Sequence, residues 1–176
     1  DFQKSLLEVS TLMDFKNPKS LNAGLANMSK ELRSVSTMSG LALSSISKAK
    51  YDIVSAGFSD AADSAAVLDA SARLAVGGVT SAAEAADLLT TSLNALGLDA
   101  DNVTQVSNEL FMTVKLGKTT MSELAASMGQ VLPFAKGMGM DLKGVGASMA
   151  TLTASGISTA QATTSLRSAM QALQSP

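Results

Sequence analysis

Ser45 and Lys48 stand three residues apart in Ser45-Ile46-Ser47-Lys48, the spacing of a serine nucleophile that passes its proton to a lysine amine. A serine-rich chain produces that tetrad by chance, and no partner motif follows it, so a small hydrolase built on the pair is the remote reading. Gly117-Lys118-Thr119 has the ending of a phosphate-binding loop. That loop also requires a strand before it and a glycine five positions earlier, where this chain has a helical pattern and Met112. Gly139 and Gly144 repeat the glycine spacing, but Val145 replaces the lysine; with Gly137 and Gly146 they read as a flexible joint after Pro133. The chain has no histidine and no cysteine. The commonest general base, the commonest neutral metal ligand and any disulfide or thiolate site are therefore absent. No catalytic, cofactor or metal site is expected. Met112, Met121, Met128, Met138, Met140 and Met149 fall mostly at helical stripe positions. Core packing is the expected role, with an adaptable apolar surface for partner helices as the alternative.

The elements that carry these residues read as helices throughout. At 176 residues the chain can hold one domain with a core, or a domain plus an arm. A net charge of −2 lacks the basic excess of a duplex-binding surface, so no sequence-specific nucleic-acid binding is expected. The N-terminus is amphipathic and lacks the basic-then-apolar pattern of a secretory signal. The uncharged span from Gly144 to Leu166 approaches the roughly 20 residues of a membrane helix. Its serines and threonines, and the break at Gly156-Ile157-Ser158, favour two short soluble helices.

Phe2, Leu6, Val9 and Met13, then Leu21, Leu25, Met28, Leu32 and Val35 after Asn17-Pro18, form a narrow seam of the coiled-coil kind. The reading is an N-terminal helical arm over residues 1–40, with Leu21, Leu25, Met28, Leu32 and Val35 as an oligomer seam; an ordinary hairpin folded on the rest is the equal alternative. Residues 41–176 form the second unit. Within it a punctuation mark recurs: Gly57-Phe58-Ser59, Gly78-Val79-Thr80-Ser81 and Gly156-Ile157-Ser158, with Gly97-Leu98-Asp99 as a shorter form. Glycine accepts the left-handed conformation that ends a helix, and the following Ser, Thr or Asp caps the next one. Ser81 with Glu84 and Ser158 with Gln161 have capping-box spacing. The expected fold is all-α, a multi-helix bundle of short-jointed hairpins. The uneven period argues against a regular solenoid.

The central joint is the most distinctive. One helix ends at Gly117, Lys118-Thr119 turns the chain, and Thr120 with Glu123 forms a further capping box. Leu110 and Val114 before the joint, and Met121, Leu124, Met128 and Val131 after it, are expected to face each other. Pro133 should stop or kink the second helix. The last stripe is expected at Leu166, Ala169 and Leu173.

Strung together, Ser55-Ala56-Gly57-Phe58-Ser59, Leu74 to Thr80, Leu88-Leu89-Thr90, Asn94 to Leu98, Leu110-Phe111, Thr113 to Thr120, Glu123-Leu124-Ala125, Val131-Leu132-Pro133, Leu152 to Ser158 and Thr163 to Arg167 closely resemble the core region of phage tail tape-measure proteins. The resemblance covers roughly two-thirds of the chain; residues 1–40 match only in helical character. It implies a structural virion protein and not an enzyme: a ruler around which tail-tube subunits polymerise, which sets tail length, occupies the tube lumen and assists DNA delivery. It implies a homo-oligomer with the tail-tube protein, tail assembly chaperones and baseplate or tail-tip proteins as partners, and the host membrane as a further one at infection. The expected location is the virion tail-tube lumen, after assembly in the host cytoplasm. A chain this short would be a segment of a longer ruler. The competing reading is a membrane-active helical domain inserted into the host envelope.

Overall fold

Helix follows helix because the apolar period stays near 3.6 and most breaks carry a cap. The computed structural model describes residues 2–13 and 18–174. These form α1 (Phe2–Ser10), α2 (Pro18–Ser39), α3 (Leu43–Ser55), α4 (Ala61–Gly78), α5 (Ala82–Leu96), α6 (Val103–Leu116), α7 (Met121–Gly137), α8 (Leu142–Ala154) and α9 (Thr159–Gln174), with a 3-10 turn at Ala100–Asn102. No strand occurs among the described residues, so the fold is all-α. Asn17 of the Asn17-Pro18 interruption lies outside the described residues.

The hairpins are not gathered around one axis. Most helices pack chiefly on one two places along, so α1, α3, α5, α7 and α9 make one layer and α2, α4, α6 and α8 the other, with α4 also resting heavily on α5. The apolar residues between the layers form one cluster, including Leu68, Leu89, Leu93, Leu110, Leu124, Met128, Val131 and Val145. Leu6, Val9, Met28, Leu32 and Val35 belong to that same cluster. Much of the interior is built from small hydroxyl residues. Ser71, Thr90, Ser92, Thr113, Thr153 and Thr163 are buried, and each donates to the carbonyl four residues back. A hydroxyl satisfied inside its own helix packs as an apolar group, which lets the helices approach closely.

Four expectations are corrected here. The stripes on either side of the central joint do not face each other: α6 packs on α8 and α4, whereas α7 packs on α5 and α9. Of the stop or kink expected at Pro133, the stop does not occur: α7 runs on to Gly137 through Pro133, which is exposed. Its exposure leaves the carbonyl that loses a donor free to turn to water. Gly144 and Gly146 lie within α8, not in a flexible joint, and α8 is capped by Asp141, whose carboxylate accepts from the Gly144 N–H at 2.8 Å. On α9, Leu173 is 74% exposed and Ala169 is exposed; Thr159, Ala162, Thr163 and Met170 are buried in their place.

Backbone conformation at the joints varies. Gly57 and Gly156 have φ of +105° and +95° with no heavy atom within 4 Å of an added Cβ. A valine there meets only the backbone penalty, so Gly57→Val and Gly156→Val should each cost on the order of 1 kcal/mol. Thermal melts that coincide with wild type would remove these positions from the left-handed set. At the α4/α5 joint the left-handed residue is not Gly78 but Val79, at φ 52°, ψ 53°. Val79 is 92% exposed, so its side chain contributes no packing that would offset the strain. Val79→Gly should therefore raise stability by about 1 kcal/mol, read as a higher urea midpoint at unchanged slope; a lowered midpoint would contradict it.

Candidate functional site

The joints fall into two rows at opposite ends of the layers. Gly78 and Ser81, Gly117 and Thr120, and Gly156 and Ser158 lie in one row, tied across by side chains. Thr80 Oγ1 lies 3.2 Å from Ser122 Oγ, and Thr159 Oγ1 donates to Thr119 Oγ1 at 2.7 Å. The Lys118 backbone N–H donates to Thr153 Oγ1 at 3.1 Å. Gly57 and Ser59, and Gly97 and Asp99, lie in the other row, where Asn94 Nδ2 donates to the Ala56 carbonyl at 2.9 Å. Gly117 is extended at φ −95°, ψ 179°. It is glycine for space: an added Cβ would lie 2.9 Å from Ala150 Cα and 2.7 Å from Thr153 Oγ1.

Local sequence positions the caps. Ser81 Oγ accepts from the Glu84 N–H while Glu84 Oε2 accepts from the Ser81 N–H, both at 3.1 Å. Thr120 and Glu123 repeat the arrangement. At α4 the cap is Asp60, not Ser59. Asp99 precedes the 3-10 turn without a side-chain cap bond. Ser158 Oγ accepts from the Gln161 N–H at 3.4 Å and donates to Gln161 Oε1.

Glu84 is held below the usual carboxylate range, first by the Thr80 hydroxyl, then by the Ser81 N–H and hydroxyl, with Ser122 adding to them and slight burial opposing. A carboxylate with a depressed folded-state pKa contributes stability above its unfolded value and loses it as pH falls through the folded one. Wild type should therefore lose more stability than Glu84→Gln on acidification across that window. Parallel pH–stability curves for the two proteins would refute the contribution.

The decoys are not assembled into sites. Lys48 Nζ is bound to Asp52 at 2.8 Å and is exposed, while Ser45 is half-buried. No cluster able to hold a metal ion occurs among the described residues. Of the methionines, Met121, Met128 and Met149 are buried, Met140 is intermediate, and Met112 and Met138 are exposed.

The seam residues Met28, Leu32 and Val35 are buried inside this chain, where α2 packs on α1, α3 and α4; Leu21 and Leu25 are half-exposed. Beneath α2 lies a residue that sequence reasoning missed. Lys50 is 1% exposed, and its Nζ donates to Glu31 Oε1 on α2 at 2.9 Å and to Ser64 Oγ on α4 at 2.8 Å. The signal was present: Lys50 falls on the buried stripe of α3 between Ile46 and Ile53.

The outer face of the even-numbered layer carries a run of exposed apolar side chains. Met38 and Val76 line the α2/α4 groove, Phe111 the α4/α6 groove, and Met112 and Leu116 the α6/α8 groove; all five are exposed. Adjoining grooves share wall residues, Asp69, Arg73 and Gly77 for the first two and Asn108 for the second two. The α6/α8 groove encloses about 300 Å³ over a floor of Gly146, Ala147 and Ala150.

Comparison with known proteins gives two matches. The sequence pattern of the family described as phage-related minor tail protein matches residues 28–176. A probable tape measure protein of Clostridium phage phiCD119 is 32% identical over 151 residues, covering 84% of this chain and 16% of that protein. The chain thus spans less than a fifth of that relative's length. No solved structure matches it.

Proposed function

Because the chain belongs to the phage-related minor tail protein family, whose members are structural tail components, we propose that it is a segment of a tape-measure protein. In this reading the parent protein sets tail length, occupies the tail-tube lumen and assists DNA delivery. The observation that carries it is the match to a probable tape measure protein over 84% of the chain. The absence of any histidine or cysteine fits a structural role better than a catalytic one. We further propose that the segment self-associates in the virion, meets the tail-tube protein along the lumen, and is handled by tail assembly chaperones in the host cytoplasm. Baseplate or tail-tip proteins would anchor the parent, and the host membrane would be met at ejection. Contact with DNA would be without sequence preference.

Membrane insertion is the competing reading. No helix among the described residues is long and apolar enough to cross a membrane, so that reading draws no support from helix length.

In-frame deletions in the parent gene test the ruler. Tail length should fall in proportion to the residues removed, by about 1.5 Å per residue for an extended helix. Tails of unchanged length, with the shortened protein present in purified virions, would overturn the length-setting role.

A further inference from the structure

The outer face of α6 carries large exposed apolar side chains, a groove beside them and charges of both signs. Gln105, Glu109, Met112, Lys115 and Leu116 share that face at helical spacing. Met112 is 43% exposed and Leu116 64% exposed, large apolar knobs beside the α6/α8 groove. The groove has room because its floor is Gly146, Ala147 and Ala150. The close approach of the two helices depends on Gly146, where an added Cβ would overlap Thr113 Oγ1. Knob and hole therefore sit on one patch.

Charge gives the patch a direction. Glu109 and Lys115 lie three residues either side of Met112, about 4.5 Å along the axis in each direction. The Glu109 carboxylate accepts from the neutral Gln105 amide at 3.0 Å. Neither Glu109 nor Lys115 has an ion pair among the described residues. Lys143, on the opposite wall of the groove, is likewise without one. A second α6 laid antiparallel across Met112 brings the Glu109 end of each helix to the Lys115 end of the other. A parallel arrangement apposes like charges.

We propose that two copies of this chain associate through the outer face of α6, antiparallel and two-fold symmetric about Met112, with Leu116 of each copy entering the α6/α8 groove of the other. An isologous contact of this kind uses the same patch on both partners. Paired Glu109–Lys115 contacts fix its orientation, while the apolar contacts supply most of the association. The pairing is that of the free segment and goes beyond the family reading, resting on no arrangement of copies within the virion. The length-setting role stands or falls separately, on the deletion series.

Sedimentation velocity on the 176-residue chain across a concentration series tests it. Wild type should form dimers. Leu116→Glu should leave a monomer with unchanged far-UV circular dichroism, because Leu116 is solvent-facing. Glu109→Lys and Lys115→Glu should each weaken dimerisation by at least about tenfold through like-charge contacts, and the two reversals combined in one chain should restore it. The chain has no cysteine, so Met112→Cys introduces a single thiol that should form a symmetric disulfide under mild oxidation. A chain that stays monomeric at all concentrations, a dimer indifferent to Leu116→Glu, or a double reversal that fails to restore association would each overturn the proposal.

Discussion

Glu31→Leu should lower the unfolding free energy by about 3 kcal/mol. The substitution leaves the Lys50 ammonium beneath α2 with Ser64 Oγ as its remaining partner, although an ammonium carries three donors. Removing one member of a buried pair costs more than removing both, because the survivor stays desolvated. Lys50→Met in the Glu31→Leu background should therefore recover most of the loss, since methionine fills a similar volume and adapts its shape. Glu31 keeps 26% side-chain exposure, so Lys50→Met alone should be the mildest of the three. Urea unfolding at neutral pH gives all three values. If Glu31→Leu unfolds with wild type, water reaches Lys50 and the pair is not a buried one.

Leu32→Asp is expected to destabilise α2 and the helices it rests on by about 4 kcal/mol or more, since it combines a lost core side chain with a buried charge. Leu32 is fully buried, whereas Leu25, about two turns earlier on the same helix, is half-exposed. Leu25→Asp should be milder. Far-UV circular dichroism with light scattering separates the two roles open to α2. Loss of helicity places Leu32 in the chain's own core. Lost mass with full helicity would make α2 an interface between copies.

What was legible in the sequence was local. Ser81 with Glu84 and Thr120 with Glu123 are three residues apart, and each pair closes within one turn. Their spacing alone reveals the helix start. The partner of each stripe was not legible, because it depends on residues far along the chain. Leu110 and Met128 both lie on buried stripes, yet α6 turns to α8 and α7 to α9. Short joints suggested that neighbours in sequence pack most closely, but the two layers give that role to alternate helices. On α9 the buried face was hidden by its chemistry. Thr159 and Thr163 read as polar, but Thr163 Oγ1 donates to the Thr159 carbonyl at 2.8 Å and Thr159 Oγ1 to Thr119. With both hydroxyls satisfied, the threonines occupy the interior and Leu173 is left outside. At Gly78–Val79 the turn was foreseen but not the residue that bears it; Val79 adopts the left-handed conformation and Gly78 faces Met121.

The alternation of layers also governs how the chain can be made and unmade. Each helix rests mainly on the helices one and two places before it, so an emerging hairpin finds its docking surface already built. Nothing at one end waits for the other, which is the low-contact-order arrangement associated with rapid folding. The same nearest-neighbour economy divides the energy of the fold into hairpin-sized steps. Tension applied at the ends would peel the array one hairpin at a time through a series of small barriers, without a single rupture of the whole core.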